Sequence, residues 1–199
     1  MSYYVRKTFL QPLCFKEEVE INKSAFFKPK MHNSSKYKNW IAILDIKTCL
    51  ECKSRHGAIY FLNETITPKP PLHPHCRCEI KNLKAIYAGE ATTKGKNGAD
   101  WWLKYFSQLP DYYISLNDAK TAGYRLHLGN LSIIAPGKML AKGEYMNRNG
   151  HLPSAPGRVW YEADINYSEG YRGAERILFS NDGLIFVTYD HYQTFQAIE

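Results

Sequence analysis

At 199 residues, with a formal net charge of +7 and 44% hydrophobic residues, the chain is long enough for one or two domains with a sizeable core. Its composition, with 15 tyrosines, is that of a globular protein, and no run is apolar for long enough to cross a membrane as a helix. The basic excess is uneven. Residues 1–96 carry 17 lysines and arginines against 8 aspartates and glutamates, whereas residues 97–199 carry 9 against 11. The high pI is therefore no argument for nucleic-acid binding by the C-terminal half, and gives the front half only a weak affinity for phosphate backbones.

Residues 1–37 form a basic N-terminal segment in which FFKPKMHNSSKYK reads as a loop or linker. Cys14 stands alone there and is expected as a small buried apolar residue. The chain opens Met1-Ser2-Tyr3-Tyr4 and runs into charged residues, without the apolar core segment or small-residue cleavage site of a signal peptide, so synthesis in the cytoplasm is expected. Residues 38–87 form a Cys/His-rich module. Cys49 and Cys52 make a CxxC pair, Cys76 and Cys78 a CxC pair, and His56, His73 and His75 lie beside them. Two short cysteine pairs separated by a loop have the spacing of a zinc site, because each pair offers two thiolates to one tetrahedral ion. His73 is the best substitute ligand. Paired disulfides, should the protein be exported, and a reduced metal-free loop remain open as alternatives.

Residues 88–97, AGEATTKGKN, are small, polar and glycine-bearing, and read as a linker or, alternatively, as the start of the first helix of the second domain. The remaining residues, 98–199, form a second domain. Ala99–Ser107 has helical spacing, with Trp102, Leu103 and Phe106 apolar. Ser115–Ala122 reads as a second helix, with Ser115 as N-cap, Asp118 bonding back and Gly123 at the stop. From Val159 to Ile165 the pattern has period 2, placing Trp160, Glu162 and Asp164 on one face. Arg176, Leu178 and Ser180 alternate on the next strand. Asn181-Asp182-Gly183 is a hairpin signal, and Leu184–Tyr189 returns until Asp190-His191 breaks it. Helices followed by an antiparallel meander give an α+β domain. Acidic and basic residues facing each other across a sheet are commonly a structural pair, and Asp164 is expected to pair with Arg172 or Arg176.

The segments YFSQLPDYYIS (Tyr105–Ser115), GNLSIIAPGK (Gly129–Lys138), NRNGHLP (Asn147–Pro153), ADINY, RIL and DHYQTF occur in this order. Residues 98–199 thereby resemble the barnase-type microbial ribonucleases. The resemblance implies an α+β fold with N-terminal helices packed on an antiparallel sheet. It also implies endoribonuclease activity on single-stranded RNA, by acid/base transphosphorylation through a 2′,3′-cyclic phosphate and with no catalytic cofactor. Carried over by position, Glu162 is the general base, His191 the general acid and Arg176 the phosphate-binding cation. Arg172 and Tyr192 line the phosphate site, and Arg148 and Asn147 face the base. The family's partner, an acidic protein inhibitor of barstar type, is implied as well. Residues 40–80, with TCxxC and later HPxCRC, resemble the cysteine-rich end of phage head morphogenesis (minor capsid) proteins. That likeness implies structural zinc on Cys49, Cys52, Cys76 and Cys78, and phage-head or delivery-apparatus proteins as partners. Carriage in a phage particle, or export without a signal peptide, is the corresponding expectation for location.

Two departures bear on function. A phosphate-facing lysine of the family falls on Leu116, and the glutamate that reads guanine falls on Asn149. An amide both donates and accepts but lacks the carboxylate's charge, so the preference for guanine is expected to be looser. The leading reading is a ribonuclease toxin or prophage-encoded effector with a front module that attaches or delivers. The rival is a structural phage-head or nucleic-acid-binding protein with a non-catalytic nuclease fold.

Overall fold

The structure, a computed structural model, describes residues 27–33 and 35–199. Cys14 and most of the basic N-terminal segment lie outside the described residues. In chain order come β1 (Tyr37–Ala42), α1 (Leu50–Arg55), β2 (Ile59–Phe61), β3 (Cys78–Asn82) and β4 (Ala85–Ile86). They are followed by α2 (Ala99–Phe106), β5 (Tyr113–Ser115), α3 (Leu116–Thr121), α4 (Leu131–Ile134) and β6 (Met139–Tyr145). The chain ends with β7 (Trp160–Asp164), β8 (Arg176–Ser180), β9 (Ile185–Thr188) and β10 (Gln196–Ile198). The expected α+β class is the observed one.

Seven strands form the main sheet in the order β4-β10-β9-β8-β7-β6-β5, antiparallel except where β10 meets β4 and β5 meets β6 at the edges. Period-2 alternation gives each strand of the meander two inner faces. On one, Ile177, Ile185, Val187 and Ala163 pack with Ala99 and Leu103 of α2. On the other, Leu178, Phe186 and Trp160 meet Tyr37, Ile59 and Leu152. The sheet is thus buried on both sides along its centre, by α2 behind and by the front half of the chain before it. α2 stops at Ser107, which takes the left-handed conformation (φ 56°). In α3 the Ser115 hydroxyl accepts from Asp118 N at 3.1 Å, the cap the sequence announces.

The front half makes a separate three-stranded sheet, β2-β1-β3, all antiparallel. The two halves are not strung on a linker. β4 belongs to the main sheet, and Ala91 and Thr92, in the stretch expected as a linker, are buried. The buried carboxylate of Asp100 explains this. It accepts from Gly89 N (2.7 Å), Ala91 N (2.9 Å) and the Thr92 hydroxyl (3.1 Å), pinning that stretch to the start of α2. A glycine-bearing polar run reads as a linker only while its backbone partners are unknown.

Candidate active site

Glu162 lies at the centre of β7, on the face of the sheet that also carries Trp160 and Asp164. It is only 1% exposed. Burying a carboxylate is costly unless cations compensate, and three do. Arg176 Nε lies 3.5 Å from Oε1, Arg172 Nη2 3.6 Å from the same oxygen, and Lys142 Nζ 3.3 Å from Oε2. Arg176 faces Asp164 directly in the register of β7 and β8. Asp164 takes the firmer share of the arginines. It accepts from Arg172 Nε at 2.7 Å and Nη2 at 2.5 Å, and lies 3.2 Å from Arg176 Nε. The expected pairing of Asp164 is therefore present with both arginines. Burial opposes the charge on Arg172, but the bond to Asp164 outweighs it and holds the guanidinium pKa above its usual value. Glu162 Oε1 and Arg176 Nε are buried without a well-formed hydrogen bond. Such groups are rare in folded proteins.

His191 enters from the turn after β9. Both His191 (φ 57°) and Tyr192 (φ 70°) are left-handed, a conformation that costs energy for residues with a Cβ and persists only where the surroundings enforce it. Asp190 enforces it. Its carboxylate accepts from the Thr188 hydroxyl (2.9 Å), Gln193 N (3.1 Å), Thr194 N (2.9 Å) and the Thr194 hydroxyl (2.6 Å). The His191 ring stays exposed and tilts against Tyr192 at 4.8 Å. Burial, and then the Glu162 carboxylate nearby, push the Tyr192 phenol well above its usual pKa, with Arg176 pulling the other way. Tyr145 stacks on Tyr192 at 5.5 Å.

The loop after β6 faces the same region. Asn147 (φ 44°) closes it, with its amide donating to Leu152 O (2.8 Å) and accepting from Leu152 N (3.1 Å). Its side chain is thus spent on the loop itself. Asn149 is within 3.0 Å of the His151 ring. Ile59 N of the front half donates to His151 O at 2.8 Å, so the front sheet is tied to this loop. The sequence pattern did not single out Lys142, Tyr145 or His151, and named Asp190 only as a strand breaker.

In the front half, Cys49 Sγ and Cys52 Sγ each lie 3.3 Å from His73 Nε2, and Cys52 Sγ lies 3.7 Å from Cys76 Sγ. Cys52, Cys76 and Cys78 form a second close group, their sulfurs within 4.8 Å of one another. With Zn–S bonds of about 2.3 Å, the edges of a tetrahedral site are about 3.8 Å, and the 3.7 Å between Cys52 and Cys76 matches that spacing, with Cys52 shared by the two groups. At 3.7 Å the Cys52 and Cys76 sulfurs are not bonded, and the four cysteines described are free thiols. His73 Nδ1 lies 2.8 Å from Pro74 O, which orients Nε2 toward the sulfurs as an outer hydrogen bond does for a metal-ligating histidine. The Cys76 thiol is lowered to about 7, chiefly by a hydrogen bond with the backbone at Leu72. Cys49 is lowered chiefly by the backbone N–H of Cys52, while burial pushes Cys52 up. This cluster could hold a metal, and the donors are those of a structural zinc site.

This sheet face holds a buried carboxylate and two arginines, and a histidine-bearing turn follows β9, residue types that acid/base cleavage of a phosphodiester uses. The relatives narrow the class. Residues 105–199 match the family described as ribonuclease, and residues 15–81 the family described as Phage Mu protein F like protein. A ribonuclease of Heyndrickxia coagulans is 48% identical over 100 residues, covering 50% of this chain and 91% of that protein. Ribonucleases of Bacillus intermedius and Bacillus pumilus are also 48% identical over 100 residues, and the chain covers 61% of each. The chain belongs to the ribonuclease family, and its C-terminal half is an RNA-cleaving endonuclease. Among the described residues no helix is long and apolar enough to cross a membrane.

Proposed function

We propose that the C-terminal half cleaves single-stranded RNA by acid/base transphosphorylation. The observation that carries this reading is the buried Glu162 carboxylate, held among cations but with one oxygen free of a formed hydrogen bond. Glu162 takes the proton of the ribose 2′-OH, and the 2′-oxygen attacks phosphorus. The bond from phosphorus to the 5′-oxygen breaks as His191 gives that oxygen a proton. Arg176 and Arg172 stabilise the charge that grows on the non-bridging oxygens. The products are a 2′,3′-cyclic phosphate and a 5′-hydroxyl. Arg148 stands on the base side, and the loop that Asn147 closes presents backbone groups to the base. Asn149 there makes guanine preference loose.

The front half is proposed as a zinc-stabilised attachment or delivery module acting with phage-head or delivery-apparatus proteins, the whole being a toxin or prophage-encoded effector. An acidic inhibitor would protect the producing cell by presenting carboxylates to Arg148, Arg172, Arg176 and His191, with association slowing as salt rises. That charge coupling is the one documented for the barnase–barstar pair.

The test is product analysis on an oligonucleotide with one ribose among deoxyriboses. Cleavage confined to the phosphate 3′ of the ribose, with a cyclic phosphate end, is expected. Cutting at deoxyribose sites contradicts the mechanism.

A further inference from the structure

We propose that Lys142 is a third phosphate-facing cation of this ribonuclease, supplying from β6 the charge that is missing at Leu116. The inference rests on the acid/base reading above and assigns a further catalytic residue to the same site. Three observations carry it.

The first is backbone geometry. β6 and β7 pair in register at Ala141 and Ala163, then slip, so that Gly143 rather than residue 142 stands opposite Glu162. Lys142 is the extra residue of a β-bulge, the feature by which strands re-aim a side chain beside a site. Gly143 takes φ +96°, which a side chain would resist, and nothing lies within 4 Å of where its Cβ would be. The glycine therefore serves the bend, and leaves the space before Glu162 to the lysine.

The second is place. Lys142, Leu116 and Arg172 line one cavity of about 340 Å³, together with Lys120, Arg125 and Tyr124. Leu116 brings no charge to that cavity and Arg125 is held by the carbonyls of Lys120 and Tyr124, whereas Lys142 brings an ammonium that also reaches Glu162.

The third is commitment. Arg172 is locked onto Asp164 by two bonds. Arg176 Nη1 donates to Glu175 O at 2.7 Å. Among the described residues the Lys142 ammonium bonds only Glu162, at 3.3 Å, and its side chain is 44% exposed. It is the cation of the cluster with most freedom to move. During the reaction Glu162 gains a proton and loses its charge, while the non-bridging phosphate oxygens become more negative. A lysine on a flexible stem follows that charge from the carboxylate to the phosphate. No proton leaves it, and the bonds made and broken are those of the step above.

The experiment measures kcat and KM for single-stranded RNA across pH in Lys142→Ala, Lys142→Arg and the double variant Leu116→Lys/Lys142→Ala, with Lys142→Gln as a second neutral replacement. Thermal melting checks each fold, which this half-exposed position should leave intact. On the pH plateau where Glu162 is fully ionised, kcat should fall about 10- to 100-fold in both neutral variants. Lys142→Arg should keep most of the rate, and lysine at position 116 should restore it. A plateau kcat within about threefold of wild type, with only the acidic limb of the profile displaced, would make Lys142 a mere counter-ion of Glu162 and overturn the proposal. Glu162→Gln and His191→Ala are measured in parallel. If they lose activity and the Lys142 variants do not, the assignment of Lys142 alone fails. If they too keep wild-type rates, the acid/base reading fails and this inference with it.

Discussion

The two halves of the molecule hold charge in opposite ways. The front half carries the basic excess, yet most of its described cations stand in water: the side chains of Lys36 and Lys81 are 75% and 60% exposed. The C-terminal half has more acids than bases, but its arginines on the sheet face are buried against Glu162 and Asp164, with Arg176 only 4% exposed. Exposed charges are screened and interact weakly, whereas buried ones act at low effective dielectric. The RNA-cleaving half is therefore the one with the lower net charge. The candidate site is where charge has been taken out of water, as perturbed groups cluster at functional sites.

The strongest way to break this contrast is to remove buried or cleft charge from the C-terminal half. His191→Ala should abolish nearly all cleavage of RNA, whose departing oxygen is a poor leaving group. Glu162→Gln should lose about 10²- to 10⁴-fold in kcat/KM. Initial rates on a defined oligonucleotide decide it, and wild-type rates in either variant would refute the roles.

Next in size is an effect on stability that tests how far the halves are separate at all. Phe186 is fully buried, 4.9 Å from Tyr37 of the front half and 5.8 Å from Trp160. Phe186→Ala should cost about 3–5 kcal/mol, and denaturant unfolding followed by probes in each half should show both shifting together. A shift confined to one half would mean that the two fold independently.

A smaller effect sharpens the comparison from the other side. The cysteine cluster of the front half should hold about one equivalent of zinc, the stoichiometry of a closed four-ligand site. Elemental analysis of protein purified without added metal checks this, and Cys52→Ser should lower the content. Metal-free protein with free thiols and an unchanged melting curve would exclude a structural role for zinc. The mildest change concerns the base. Asn149→Glu should raise the rate ratio of guanine to the other bases without much change in the best rate, as read from dinucleotide substrates. An unchanged ratio would show that this position does not face the base.

What was legible in the sequence was local. The period-2 pattern of β7 and β8, the Asn181-Asp182-Gly183 turn and the Ser115 cap are each written within a few residues, and each is present. Glu162, Asp164 and Arg176 follow from that pattern, because alternation puts them on one face. What was not legible depends on partners far along the chain. β4 is two residues long and exists through its pairing with β10 at the opposite end. The apparent linker is fixed by a carboxylate in α2. Lys142 reaches Glu162 through a bulge, and a shift of one residue in register decides the face on which a side chain lies. His73 was named only as a substitute ligand, yet it stands between Cys49 and Cys52 because Pro74 orients its ring.

The most direct test of the central claim is incubation of the purified protein with single-stranded RNA, and with DNA of the same sequence, in excess EDTA, with circular dichroism confirming the fold. Buried and cleft charges of the C-terminal half predict that RNA is cut at close to the untreated rate while DNA survives, since only ribose offers the 2′-OH. Loss of RNA cleavage in chelator at retained fold, or cleavage of the DNA, would contradict it.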